Sequence, residues 1–215
     1  MNTLLFSSKT GDIDFPMTPT TLDQMALGIN SPITALVLNN PPSGSGFVPS
    51  ARYCLLTEVS TDAGLPLAAT SASGTTPGIA RTAGTSLALV GAATSGATPA
   101  TTKMLWEQVL PMTYVAGSNI PVYINCVVPT ALDVTAASTT MTVAAYSLSE
   151  SGVETALTVS SAQQIPLTTA GTLTFTITGT GLVAGQRISL ELTALVTTTV
   201  GGASSVQVNS VGYAA

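Results

Sequence analysis

This chain of 215 residues contains no histidine, and its five lysines and arginines face ten aspartates and glutamates. Without imidazole the usual general base and the commonest metal ligand are missing, which excludes Ser-His-Asp hydrolysis and histidine-held metals. Five scattered cations cannot follow a phosphate backbone, so nucleic acid is excluded as a partner. Charge of either sign is scarce, at 7% of residues against roughly 25% in an ordinary soluble domain. Aromatic residues make up only 5%, and there are two cysteines. Mean hydropathy is +0.49. Even so, no uninterrupted apolar run reaches the about 18 residues that would cross a bilayer, and no membrane partner is expected. The opening Met1–Lys9 has too short an apolar patch and no basic stretch before it, so no secretory signal is expected.

What is present is threonine, serine, alanine and glycine, threaded by short apolar runs. Residues 1–50 stand apart, with Pro16, Pro19, Pro32, Pro41, Pro42 and Pro49 among them. Each proline removes a ladder donor, so this stretch reads as an extended N-terminal arm lying on something else. Within it, residues 20–27 suit one helical turn, 33–38 a strand and 39–46 a break. Its apolar side chains Phe15, Met17, Leu22 and Met25 are candidates for contact with a partner.

Residues 51–215 read as one antiparallel β-sandwich or jelly roll, all-β. A strand is expected over 51–59, then a long ordered loop over 60–102 packed against a neighbour. Further strands are expected over 103–110, 120–128, 139–148, 173–178, 187–197 and 205–211. The clearest alternates Ile188, Leu190, Leu192, Ala194 and Val196 with Arg187, Ser189, Glu191 and Thr193. A period of two over ten residues marks a half-buried strand. Turn residues at 116–119, 149–152, 179–181 and 201–202 separate these runs.

Chemistry is thin. Asp12 and Asp14 offer two ligands where calcium needs six or more. Glu150 and Glu154 flank a hairpin tip, where a glycosidase acid would need burial. Gly44-Ser-Gly46 and Gly179-Thr-Gly181 are turns without the lysine of a phosphate loop. No catalytic, cofactor or metal residue is therefore assigned, no cofactor is expected, and the chain reads as a non-enzyme. Cys54 and Cys126 sit in apolar runs and read as two buried free thiols, with a disulfide as the alternative. Trp106 and the tyrosines Tyr53, Tyr114, Tyr123, Tyr146 and Tyr213 could stack on sugars, although Tyr123 and Tyr146 fall in strand patterns that suit core or interface. Arg187 and Glu191 share the polar face of one strand and are candidates for an ion pair between subunits. So few surface charges suit a chain covered by partners, a homo-oligomer and most simply a trimer.

Two runs carry a resemblance. One is Lys103-Met-Leu-Trp-Glu-Gln-Val-Leu-Pro-Met-Thr-Tyr-Val-Ala-Gly117 followed by Ile120-Pro-Val-Tyr-Ile124. The other runs from Ala162-Gln-Gln-Ile165 through Leu173–Thr178 to Gly181-Leu-Val-Ala-Gly-Gln-Arg-Ile-Ser-Leu190. Together they resemble the β-sandwich head decoration (cement) proteins of tailed bacteriophages, over about residues 103–212. Gln186 stands where those proteins usually have an aspartate. The resemblance implies a trimeric jelly roll without catalytic residues. Such a protein is made in the host cytoplasm and binds the major capsid protein on the virion exterior, cementing the expanded shell. The alternative is a tail-fibre or spike module recognising host surface glycans through Trp106 and the tyrosines.

Overall fold

The computed structural model describes residues 4–8, 11–15, 51–54, 56–67, 72–81, 87–131, 133–199 and 202–215. The chain divides into two units, residues 1–50 and 51–215. In the first, β1 (Leu4–Ser8) and β2 (Gly11–Phe15) pair antiparallel, with Leu4 opposite Phe15. This hairpin lies within the stretch read above as an extended arm. The expected turn at 20–27, the strand at 33–38, and Met17, Leu22 and Met25 all lie outside the described residues.

The second unit is built from eleven described strands. In chain order they are β3 (Arg52–Tyr53), β4 (Gly78–Arg81), β5 (Leu87–Val90), β6 (Ala100–Val109), β7 (Ile120–Val127) and β8 (Thr140–Leu148). Then follow β9 (Glu154–Leu157), β10 (Gln163–Gln164), β11 (Gly171–Ile177), β12 (Arg187–Val196) and β13 (Gln207–Tyr213). One sheet runs β10-β8-β12-β6, with β9 also against β8; the other runs β11-β7-β13-β5-β4, with β3 also beside β13. Every pairing is antiparallel. Most connections pass from one sheet to the other, as the jelly-roll reading requires. The segment 158–160 closes one side, since Ser160 and Thr178 bond across to Thr176 and Thr158.

Alternation explains the sandwich. On β12, Ile188, Leu190, Leu192, Ala194 and Val196 are buried; on β11, Leu173, Phe175 and Ile177 are buried beneath exposed threonines. Those side chains meet Ile120, Val122 and Ile124 of β7 and Met104 and Trp106 of β6 in one core. Burial of each large side chain contributes about 1.5–3 kcal/mol. Trp106, 1% exposed, packs edge-on against Tyr213 at 5.6 Å between ring centres.

Two expectations are corrected. A strand over 51–59 is realised only at β3, and residues 56–58 form a 3-10 turn. Leu56 and Val59 are both buried; side chains three apart reach one side through a helical turn, whereas a strand would separate them onto opposite faces. The low-complexity stretch 60–102 is not a loop throughout. It supplies β4, β5 and the start of β6, and Ser60 exchanges backbone bonds of 2.8 and 2.9 Å with Leu105. Both short strands extend an existing sheet edge, where the ladder rather than the side chains decides.

Cys54 and Cys126 are free thiols, so the disulfide alternative is set aside. Burial pushes both up to about 12, with the Glu58 carboxylate adding to the effect at Cys54.

Candidate functional site

The two outer faces of the sandwich differ in chemistry. On the five-stranded sheet, Arg187 Nη2 lies 2.7 Å from Glu107 Oε2, and Lys103 Nζ lies 3.6 Å from Glu191 Oε1. The register places Arg187 opposite Val109 and Glu107 opposite Ser189, so each ion pair is diagonal across β12 and β6. Arg187 and Glu191 thus take partners from β6 of the same chain while staying half-exposed. Half-exposed pairs of this kind contribute at most about 1 kcal/mol.

Trp106 is also corrected. It lies in the core and cannot stack on a ligand. Tyr114 and Tyr213 are buried with it. Tyr114 donates to the Ser118 carbonyl, and Tyr213 donates to the Val109 carbonyl at 3.3 Å. Phe15 falls at the end of β2, opposite Leu4 of β1.

The outer face of the six-stranded sheet carries no charged side chain among the described residues. Across it, Thr174, Tyr123, Gly212 and Tyr53 form one cross-strand row on β11, β7, β13 and β3. Both tyrosines are partly exposed. Gly212 makes the row possible, because a Cβ there would stand 2.7 Å from Tyr53 Cδ1 and 2.9 Å from the Arg52 carbonyl. Gly212 is itself buried, because the Tyr53 ring lies against it, with Tyr123 on the neighbouring strand.

Beside this row runs a chain of amides. Gln207 Nε2 donates to Asn209 Oδ1 at 2.8 Å, Asn209 Nδ2 to Asn125 Oδ1 at 2.9 Å, and Asn125 Nδ2 to Thr172 Oγ1 at 3.2 Å. A register shift between Val208 and Ser210 leaves Asn209 without a ladder partner and sets Ser210 opposite Asn125. Straight alternation over 205–211 would set Val208 and Val211 on opposite faces; the extra residue lets both be buried while Asn209 turns outward. Sequence reasoning missed Asn125, Asn209 and Gln207 because alternation turns them outward without showing which strands stand side by side, and only the pairing of β13 with β7 brings them together. Gly212, between Val211 and Tyr213 in a strand, was the available signal, since strand glycine often marks a close approach.

One end of the sandwich holds two open depressions. A groove of about 450 Å³ is lined by Arg52, Glu107, Gln108, Val109 and Arg187. A notch of about 370 Å³ is lined by Leu148 at the end of β8, Ser149 and Glu150 after it, residues 183–186 of the β11–β12 connection and Arg187 at the start of β12. Glu150 and Glu154 are exposed, as the hairpin reading expected. Among the described residues, no three acidic, cysteine or histidine side chains stand together as metal ligands. No helix among them is long and apolar enough to cross a membrane.

No family model and no curated protein matches this chain. Solved structures do. A study of the promiscuous specificity of carbohydrate-binding modules from the β-sandwich superfamily provides one, at TM-score 0.44 and 11% identity. That match covers 75% of this chain and 58% of the other, so the chain spans under two thirds of that neighbour's length. The CBM22-1 xylan-binding domain of Paenibacillus barcinonensis Xyn10C matches at TM-score 0.36 and 9% identity, covering 79% of this chain and 87% of that one. A CBM28 module specific for non-crystalline cellulose matches at 0.37 and 11%, covering 80% and 91%. Identities this low transfer no binding residue and no ligand.

Proposed function

We propose that the protein is a non-catalytic binding module that takes neutral glycans on the outer face of its six-stranded sheet. The observation behind this reading is the uncharged row Tyr53–Gly212–Tyr123 lying beside the Gln207–Asn209–Asn125 amides. A sugar ring presents C–H faces that suit an aromatic ring, and hydroxyls that both donate and accept. Each amide keeps hydrogen-bonding capacity beyond the bonds of the chain, since its NH2 carries two protons and its oxygen two lone pairs. The amides already hold one another in place, which lowers the ordering cost of binding. With no charge on the face, neutral rather than anionic sugars are favoured.

A glycan array with the purified chain tests this. Neutral oligosaccharides should be retained, and Tyr123→Ala should weaken binding about 10-fold, the equivalent of about 1.4 kcal/mol. Tyr146→Ala, on the opposite sheet, should leave binding unchanged. Retention of no neutral glycan, or indifference to Tyr123→Ala, refutes the proposal.

The second reading is a capsid decoration protein that binds the major capsid protein on the virion exterior and performs no reaction. It is favoured by the division of the chain into two units, residues 1–50 and 51–215. Contacts spread over two units gain affinity by spanning neighbours. Copy number in purified virions discriminates between the readings. About one copy per capsid subunit, or one per few, supports cementing, whereas a handful per particle favours a tail location and glycan recognition.

A further inference from the structure

Five of the seven large apolar side chains that stand exposed among the described residues gather at one end of the sandwich. Met112 is 83% exposed and Val115 70%; Val109, Val183 and Val153 join them. The connections carrying them form one surface. Leu110 and Gly117 bond to Gln186 and Leu182 of the β11–β12 connection at 2.9 and 3.1 Å, and Met112 Sδ lies 3.4 Å from where a Cβ on Gly185 would stand. The notch then joins residues 183–187 to Ser149 and Glu150, and Val153 closes that hairpin through bonds of 3.0 Å to Ser149. Connections 110–119, 149–153 and 179–186 hold 18 residues that are not buried, close to the roughly twenty per side that a standard interface uses. An apolar patch of this kind on a soluble domain marks a contact site.

Charge identifies the occupant. Arg52 lies at the groove flank of this end, while Glu150 and Glu154 lie at the opposite, hairpin flank. Arg187 stands between the two depressions and is already held by Glu107. A surface with a cation on one flank, carboxylates on the other and an apolar centre complements a copy of itself turned through two-fold rotation. An anionic lipid surface would meet those carboxylates and a net charge of −5.

We propose that this end is a two-fold interface, through which two copies of the chain pair by burying Met112, Val115 and Val183 and by setting Arg52 of one copy against Glu150 of the other. The pairing does not depend on the glycan reading, although two copies would present two binding faces and raise avidity.

Sedimentation equilibrium of the full chain from 1 to 100 μM provides the test. The wild type should have the mass of a dimer, and Met112→Asp with Val115→Asp should shift it to monomer. Arg52→Glu and Glu150→Arg should each weaken pairing about 10-fold, and the two together should restore it to within about 3-fold. Each variant's melting curve is recorded alongside, and the charge exchange remains decisive if the aspartate pair melts early. A wild type that is monomeric at 100 μM, a trimer, a dimer that the aspartates leave intact, or a charge exchange without rescue overturns the proposal. A monomer whose Met112 and Val115 are needed for binding phosphatidylcholine vesicles also overturns it and assigns the surface to lipid.

Discussion

Cys126 shows how much one side chain's surroundings decide. Its sequence context of alternating apolar residues indicates burial, and the structure places it fully inside, facing the core from β7. Unfolded, a thiol ionises near 9.0, whereas burial holds the Cys126 proton to about 12. Above pH 9 the unfolded chain therefore binds fewer protons than the folded one, and stability falls as pH rises from 9 towards 12. Cys126→Ala should lose less stability than the wild type between pH 8 and 10.5, each measured against its own value at pH 8 by urea unfolding. Equal losses would show that the buried thiol does not drive the alkaline decline. At the same scale, Trp106 illustrates the limits of residue type. A lone tryptophan invites a stacking role, yet its inward position on β6 commits it to the core.

Strands of seven to ten residues were legible because period two survives whatever lies on either side of them. β6, β7, β8, β11, β12 and β13 each fall within a few residues of expectation. β4, β5, β9 and β10 span two to four residues, too few to show a period, and their place is decided by the edge they join. The bulge in β13 was equally invisible, since it answers a demand of packing: Val208 and Val211 must both reach the core. The Tyr53–Gly212–Tyr123 row follows from that shift and from the pairing of β3 with β13, and the amide line from the pairing of β13 with β7. Turn glycines give a mixed case. Gly179 read correctly as a turn residue, but its necessity is tertiary, because a Cβ there would fall 1.9 Å from the Ser118 carbonyl on another connection.

For the molecule as a whole, the buried core cluster among the described residues runs from Leu56 to Tyr213, with Cys54 packed against it. A chain of residues 51–215 should therefore fold alone and melt within a few degrees of the full chain, as read by circular dichroism. A collapse of its cooperative transition would show that residues 1–50 are needed for the sandwich to hold. The same shortened chain bears on the capsid reading, under which it should lose attachment to particles while keeping its fold. The charge pattern also belongs to this scale. Both ion pairs of the described residues lie on one sheet, while the other sheet's outer face among those residues has tyrosines, amides, hydroxyls and small or apolar residues such as Pro121 and Val90. That asymmetry gives the molecule a distinct binding side.

Composition and periodicity by themselves determined the all-β class, the long strands, the inward sets of side chains and the lack of histidine chemistry. These are properties of neighbouring residues and of totals, which no fold can change. Only the tertiary structure decided that Arg187 meets Glu107, that Tyr53 and Tyr123 flank one glycine, and that Met112, Val153 and Val183 share an end. Each of those contacts joins residues tens of positions apart, and cross-strand register, which no local pattern encodes, sets which side chains come face to face.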